Sequence, residues 1–126
     1  MGVGTVQVQK GPVATQPDVE EQFLLRLQEI VAARLSDPDF GPSDLERAIG
    51  MSHAQLFRKM KALLGYSAVT LIRKMRIEQA VEMMRKNEMS ISEIAFAVGF
   101  NDPAYFSRVF KEETGVPPGE WGEGKG

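Results

Sequence analysis

The fold is decided by one stretch of sequence, Ile94-Ala-Phe-Ala-Val-Gly-Phe-Asn-Asp-Pro-Ala-Tyr-Phe-Ser-Arg-Val-Phe-Lys111. Just before it, Ser90 stands three residues ahead of Glu93. This spacing is typical of a capping box, in which two side chains satisfy free backbone amide groups at the start of a helix. Apolar residues then recur at helical spacing. The pattern predicts a first helix over residues 90–98.

A second helix is predicted to follow after a short turn. Gly99 supplies the permissive backbone that ends the first helix, and Asp102 can cap a new one. Pro103 suits the first helical position, where its missing amide hydrogen costs nothing. The second helix should run from Pro103 to Thr114 and stop at Gly115. Together they form a helix-turn-helix, which leaves the second helix free to present side chains outward.

The same pattern occurs earlier in the chain. Aligning Gly50 with Gly99 brings acidic, apolar, basic and glycine positions into register, with one residue gained after the glycine. The matched pairs are Asp44 with Glu93, Leu45 with Ile94, Ala48 with Ala97, Ile49 with Val98, Leu56 with Phe106, Arg58 with Arg108, Lys61 with Lys111 and Gly65 with Gly115. An internal repeat of about fifty residues that preserves these positions together is hard to produce by chance. The chain therefore carries two helix-turn-helix units, the first over residues 43–65 and the second over residues 92–115.

Shorter signals predict the other helices. Apolar residues at helical spacing predict a supporting helix over residues 18–35. Ser43 with Glu46 has the spacing of a capping box that would open the first unit, and Ser52 with Gln55 would cap its second helix.

The predicted fold class is all-α and homeodomain-like, with two helix-turn-helix subdomains, a long central linker helix and about seven helices in total. We expect this linker helix to be uninterrupted, because its sequence contains neither glycine nor proline. The predicted divisions are a disordered linker or tail at 1–18, the first subdomain at 19–66, the connecting helix at 67–86, the second subdomain at 87–121 and a disordered tail at 122–126.

The composition argues against several classes of protein. With 126 residues and 43% apolar content, the chain forms one globular domain or two very small ones. The absence of cysteine excludes disulfides and thiolate metal sites and suits a reducing cytoplasm. Since no apolar run approaches the length of a membrane span, we expect a cytoplasmic fragment that makes no membrane contact. No acid and base pair, activated nucleophile, phosphate loop or metal cluster appears, so we predict no catalytic residue, no metal and no cofactor.

Charge is unevenly distributed along the chain. The net charge of −2 argues, taken alone, against a nucleic-acid partner. Residues 58–86, however, hold eight Lys or Arg against two Asp or Glu, whereas residues 1–57 and 87–126 are both acidic. A local basic face can exist on an acidic protein, although a solvated helix face explains such a run equally well by itself. The connecting-helix cations that could approach phosphates are Arg73, Lys74, Arg76, Arg85 and Lys86.

These residues resemble a known family, the DNA-binding domain of the arabinose-regulator (AraC) type of bacterial transcription factors. The resemblance covers Phe23 to Trp121 and is most specific over Ser90 to Pro118. It is looser in the first unit, where Ser52 to Gly65 matches the family's Ser, Leu, Arg, Lys and Gly positions. Ala68 stands where a proline is usual, and Leu71 stands where a tyrosine is usual.

The resemblance implies a sequence-specific transcription regulator that binds double-stranded DNA and contacts RNA polymerase. The chain also looks like the C-terminal output domain of a hybrid two-component sensor or a response regulator. A histidine kinase could then lie elsewhere in the full-length protein, and dimerisation would run through upstream domains. The twenty residues of the connecting helix would span roughly 30 Å, close to the ~34 Å between successive major-groove faces on one side of a duplex.

Equivalent positions in the two recognition helices supply the candidate DNA-binding residues. Arg58 and Arg108 repeat in register, and a guanidinium can bond two acceptors on a guanine edge or one phosphate. The alternative for each is an ordinary surface arginine. The resemblance adds groove-facing side chains that are mostly apolar or small. The predicted set is His53, Ala54, Phe57, Arg58, Lys61, Pro103, Ala104, Tyr105, Ser107, Arg108 and Lys111.

Two members of this set have a further expectation attached. His53 is either a phosphate contact near a helix N-terminus or a solvent-exposed imidazole. Tyr105 is expected at the edge of the second unit, where its hydroxyl can reach solvent or phosphate, while Phe106 lies in the core opposite Phe110. A different class of function stays open at this point, because the acidic flanks also suit a helical protein-interaction module without direct DNA binding.

Overall fold

Seven helices make up the part of the chain that the computed structural model describes, which is residues 18–125, with side chains as far as residue 121. No strand occurs in residues 18–125, so the predicted all-α class is confirmed. The predicted tail at residues 1–18 lies outside the described part except for Asp18, which is the N-cap residue of α1. The helices are α1 (Val19–Arg34), α2 (Pro42–Ile49), α3 (His53–Leu64), α4 (Ala68–Lys86), α5 (Ile91–Ala97), α6 (Pro103–Thr114) and α7 (Pro118–Lys125).

Capping boxes form at three helix starts. Asp18 and Glu21 cap α1 reciprocally. In α3 the Ser52 hydroxyl accepts a hydrogen bond from the Gln55 amide, and the Gln55 side chain accepts one from the Ser52 amide. The box predicted at Ser90 and Glu93 is also confirmed, since both of its hydrogen bonds form at the start of α5. Local sequence therefore sets these three starts.

The predicted start of α2 is wrong. The helix begins at Pro42 rather than after Ser43, and Gly41 is its N-cap residue. The Asp44 carboxylate, and not Glu46, accepts a hydrogen bond from the Gly41 amide at 2.9 Å. This hydrogen bond lowers the pKa of Asp44. Proline fixes the backbone angle that the first helical residue needs, so the helix starts where Pro42 allows it.

The long connecting helix predicted between the units is confirmed. α4 is unbroken over Ala68–Lys86, with Ser67 as its N-cap residue and Asn87 as its C-cap residue. It contacts α1, α2, α3, α5 and α6, so both units pack against it. The buried apolar side chains form one cluster that extends from Phe23 in α1 to Phe110 in α6. One shared core thus fixes α3 and α6 to the same central helix.

The C-terminal end differs from the predicted disordered tail. α7 begins at Pro118, which is buried, and its backbone is helical as far as Lys125. Trp121 is partly buried and packs against the core, and α7 contacts α6. The backbone of residues 122–125 therefore continues α7, where the sequence predicted a tail from residue 122.

Candidate nucleic-acid interface

The five predicted site residues on α3 share its exposed side. Leu56 and Met60 lie on the opposite side and are buried in the core. The side chain of Phe57 is 47% exposed, which is unusual for a large aromatic group. The exposed set is His53, Ala54, Phe57, Arg58 and Lys61. The helix therefore presents a mixed face of apolar, aromatic and cationic groups, as the sequence predicts.

His53 makes a contact that the sequence did not predict. Its Nδ1 lies 2.7 Å from a carboxylate oxygen of Glu46 in α2, and its ring stacks on Phe57 with 6.4 Å between centroids. The side chain is 79% exposed all the same. The Glu46 carboxylate contacts Nδ1 and orients the imidazole, so only Nε2 remains free to contact a phosphate.

The predicted site residues on α6 are also accessible. Phe106, Val109 and Phe110 are buried on the inner side of the helix. Pro103 and Ser107 are half-buried at the edge. The exposed members are Ala104, Tyr105, Arg108 and Lys111. Tyr105 and Phe106 divide as expected, one being 43% exposed and the other fully buried.

Arg108 is held in position by aromatic rings. Its guanidinium carbon lies 5.4 Å from the centroid of the Tyr105 ring. The Tyr105 ring in turn lies 5.9 Å from that of Phe100, which is buried in the core. This contact is of the cation–π kind, which attracts a cation to the face of an aromatic ring. Arg58 has no such contact among the described residues. The two equivalent arginines thus differ in how firmly they are placed.

The first turns of α3 and α6 border two depressions that share lining residues. A shallow depression lined by Pro42 and Val69 reaches His53 and Phe57 at the start of α3. A neighbouring depression, also lined by Pro42 and Val69, reaches Tyr105 in the first turn of α6. Val69 is 54% exposed between them. The sequence did not single out Pro42 or Val69, because their place between the recognition helices depends on the packing of α2 and α4.

Two of the basic residues of α4 are engaged in an ion pair with α6. The Lys74 ammonium lies 2.9 Å from a carboxylate oxygen of Glu113, and the Arg73 Nε lies 3.6 Å from the other oxygen. The hydrogen bond to Glu113 raises the pKa of Lys74. These cations therefore fasten the second unit to α4.

Two further cations of α4 also have intramolecular partners. Arg76 is half-buried and donates hydrogen bonds to the backbone carbonyl groups of Leu35 and Asp37, so its guanidinium is engaged within the protein. Arg85 lies 3.6 Å from Glu82 and 5.8 Å from the Trp121 ring centroid. Within residues 58–86, Arg73, Lys74 and Arg76 thus hold other parts of the fold against α4. The exposed cations of the two recognition helices are Arg58, Lys61, Arg108 and Lys111.

Residues 18–125 contain neither a candidate membrane span nor a candidate metal cluster. None of the helices there combines the length and the apolar character that crossing a bilayer requires. Within the same residues, no three His, Asp or Glu side chains are grouped so that they could hold a metal ion.

A family model described as a helix-turn-helix domain matches residues 45–124. The arabinose operon regulatory protein of Escherichia coli is 31% identical over 96 residues, which is 76% of this chain and 33% of that protein. Histidine kinase P4 of Formosa agariphila is 28% identical over 107 residues, which is 85% of this chain and 8% of that protein. The chain thus spans a third or less of the length of these relatives.

Solved structures show the same architecture. The C-terminal domain of AraT, a response regulator from Geobacillus stearothermophilus, is 29% identical with a TM-score of 0.76, covering 85% of this chain and 88% of that one. The DNA-binding domain of the transcriptional factor AdpA, solved with its target DNA, is 24% identical with a TM-score of 0.69. The match covers 79% of this chain and 91% of that one. The second likeness shows the shared fold alone.

Proposed function

Because the chain belongs to the AraC-type helix-turn-helix family, we propose that it reads double-stranded DNA with α3 and α6 together and regulates transcription. The family is one of DNA-binding domains and not of enzymes. One observation carries the proposal: the first turns of both recognition helices border two adjoining depressions that share Pro42 and Val69. Two helices facing one surface can enter adjacent major-groove segments of one duplex.

Each site residue has a proposed role. Arg58 and Arg108 donate to guanine edges or phosphates. Ala54, Phe57 and Ala104 make apolar contacts, for which thymine methyl groups are suitable partners. The residues proposed to contact the sugar-phosphate backbone are His53 through Nε2, Lys61, Tyr105 and Lys111, while Pro103 and Ser107 border the groove.

The proposal extends to the protein that contains this domain. Subdomains at 19–66 and 87–121 on either side of the connecting helix would form the output domain of a two-component protein that works in the bacterial cytoplasm. The likeness to a histidine kinase and to a response regulator domain supports that context. Contacts to RNA polymerase and dimerisation through upstream domains complete the proposal. Sequencing the reading frame upstream of Met1 tests it, and a frame without a receiver or kinase domain would contradict it.

A salt titration tests the DNA-binding proposal. Fragments selected by the protein from a random DNA pool should lose affinity as salt rises, because phosphate contacts release counterions. With several phosphates contacted, we expect a fall of at least about tenfold between 50 and 200 mM salt. The double variant Arg58→Ala with Arg108→Ala should bind weakly, whereas Arg26→Glu, which lowers the net charge by the same two units on the exposed side of α1, should bind like the wild type. Salt-independent affinity would end the proposal and favour a protein-interaction module.

A further inference from the structure

The turn of the second unit packs directly against the chain between α1 and α2. Gly99 in this turn has a φ of +100° and is buried. A Cβ atom placed on Gly99 would lie 2.0 Å from the carbonyl oxygen of Leu35 and 2.7 Å from the Nε of Arg76. No side chain fits in that space. Backbone therefore meets backbone where the second unit touches the α1–α2 loop, residues 35–41, which leads into α2 of the first unit.

Arg76 of α4 joins the two sides of this contact. Its Nε donates to the Leu35 carbonyl at 2.8 Å. Its Nη2 donates to the carbonyls of Asp37 at 2.8 Å and Phe40 at 3.3 Å. The guanidinium also lies 6.0 Å from the ring centroid of Phe100, the residue after the glycine turn. One planar side chain thus holds three carbonyl groups of the α1–α2 loop and contacts the turn of the second unit.

The chemistry of this contact makes it difficult to loosen. Burial lowers the pKa of Arg76, but an arginine side chain stays charged in proteins. A partly desolvated charge is tolerated when its donors are hydrogen-bonded, and the three carbonyls meet that need. Replacing the guanidinium by an apolar group would leave the carbonyls of Leu35 and Phe40 without these bonds. The junction formed by Arg76, Gly99 and the α1–α2 loop should therefore be rigid.

We propose that this junction fixes the orientation of α3 relative to α6, so that Arg76 is a positioning residue that determines which spacing of DNA half-sites the protein accepts. The inference rests on the proposed function, since it concerns how the same two helices meet DNA. A side chain that never touches DNA would then set a part of specificity. The shared helix α4 supplies the distance between the units, and the junction prevents one unit from rotating about α4 relative to the other.

The test compares DNA of different half-site spacing. Starting from a sequence that the wild type selects, one or two base pairs are inserted between the half-sites. Each insertion rotates the half-sites by about 34° and separates them by about 3.4 Å. The wild type should lose affinity by about 30-fold for one inserted base pair, which is comparable to a mismatch in the site.

Arg76→Met keeps an unbranched side chain of similar length and removes the donors. This variant should bind the original DNA about fivefold more weakly than the wild type does. Inserting one base pair should then lower the affinity of the variant by only about threefold, because its two units can change their relative orientation. Arg85→Met makes the same change on an exposed part of α4 and should keep the wild-type penalty. If Arg76→Met lowers affinity equally for every spacing, its role is support of the fold and the proposal is overturned.

A second measurement separates this inference from DNA binding itself. Amide relaxation by NMR should show α3 and α6 tumbling as one body in the wild type and less uniformly in Arg76→Lys, a conservative variant chosen in case Arg76→Met does not fold. Independent tumbling of the two units in the wild type would overturn the inference. A wild type that tumbles as one body but shows no salt-dependent DNA affinity would instead remove the proposed function.

Discussion

The two units share a sequence pattern but use their glycine turns differently. Gly50 and Gly99 align, and both have positive φ, +78° and +100°. A Cβ on Gly50 would meet open space, whereas one on Gly99 would collide with Leu35 and Arg76. The first turn needs glycine for its backbone conformation alone. The second needs it also because another part of the backbone approaches. Equivalent positions in a repeat can therefore carry unequal structural constraints.

The recognition helices differ in a corresponding way. Tyr105 supports Arg108 in the second unit. The aligned residue in the first unit is Gln55, whose side chain accepts a hydrogen bond from the Ser52 amide and is thereby committed to the helix cap. Arg58 consequently lacks an aromatic support. Arg108 is therefore the more preorganised of the two aligned arginines, whereas His53 is the oriented cationic candidate of the first unit.

The largest expected difference concerns the two glycines. Gly99→Ala should destabilise the fold by about 3–4 kcal/mol, because left-handed strain adds to a steric clash with backbone. Gly50→Ala should cost about 1 kcal/mol, since only the strain applies. Urea unfolding followed by circular dichroism measures both. Equal destabilisation of the two variants would show that Gly99 is not held against the α1–α2 loop.

Removal of each recognition arginine should give the next largest difference. Arg108→Ala should weaken binding to selected DNA by about 2 kcal/mol, and Arg58→Ala by about 1 kcal/mol, because a preorganised guanidinium loses less freedom on binding. Gel-shift titrations at one salt concentration measure the ratio. Tyr105→Leu should reduce the gap by freeing Arg108. The comparison fails if Arg58→Ala has the larger effect.

A smaller difference should follow from the ion pair between α4 and α6. Among residues 18–121, no ion pair joins α4 to α3 in the same way. Lys74→Met should destabilise the protein by about 0.5 kcal/mol, as is usual for a pair with an exposed member. The folded-state pKa of Lys74 is raised, so its contribution is present at neutral pH and is lost as the pH rises above 10.5 through that pKa. Urea unfolding of the wild type and of Lys74→Met at pH 7 and at pH 11 measures this contribution. A destabilisation by Lys74→Met that was larger at pH 11 than at pH 7 would contradict the ion pair.

The smallest effect concerns the helix starts. The second unit has a full capping box at Ser90 and Glu93. In the first unit only the Asp44 carboxylate accepts its hydrogen bond, from the Gly41 amide, because Gly41 has no side chain that could accept the second one. Gly41 has an extended backbone and open space beside it. Gly41→Ser should therefore stabilise the protein by about 0.4 kcal/mol and raise Tm by about 2 °C. A lower Tm would mean that the serine does not complete the box.

The sequence predicted the elements well and their mutual contacts poorly. Capping residues and apolar spacing act over a few positions, which is why both ends of α6, Pro103 and Thr114, were predicted correctly. The start of α2 was misplaced by following Ser43 rather than Pro42. The candidate site residues on α3 and α6 came from the repeat and the family resemblance, and their roles stay predictions.

Arg76 shows why the rest could not be predicted. In the sequence it is one of several basic residues on a helix. Two of the carbonyl groups that it binds belong to Phe40 and Leu35, which precede it in the chain by 36 and 41 positions. No local pattern distinguishes it from Arg73 or Arg85. Its side chain points inward only because the α1–α2 loop packs against α4 and against the glycine turn of the second unit. Val69 likewise becomes part of the candidate surface through tertiary contacts alone.

The central claim is that both recognition helices contact one duplex at the same time and from the same side. Hydroxyl-radical footprinting on a selected DNA fragment tests it most directly. Two protected segments should appear about 10 base pairs apart on one face of the duplex, and Arg108→Ala should weaken protection of one segment more than the other. A single protected segment, or two segments on opposite faces, would contradict the claim.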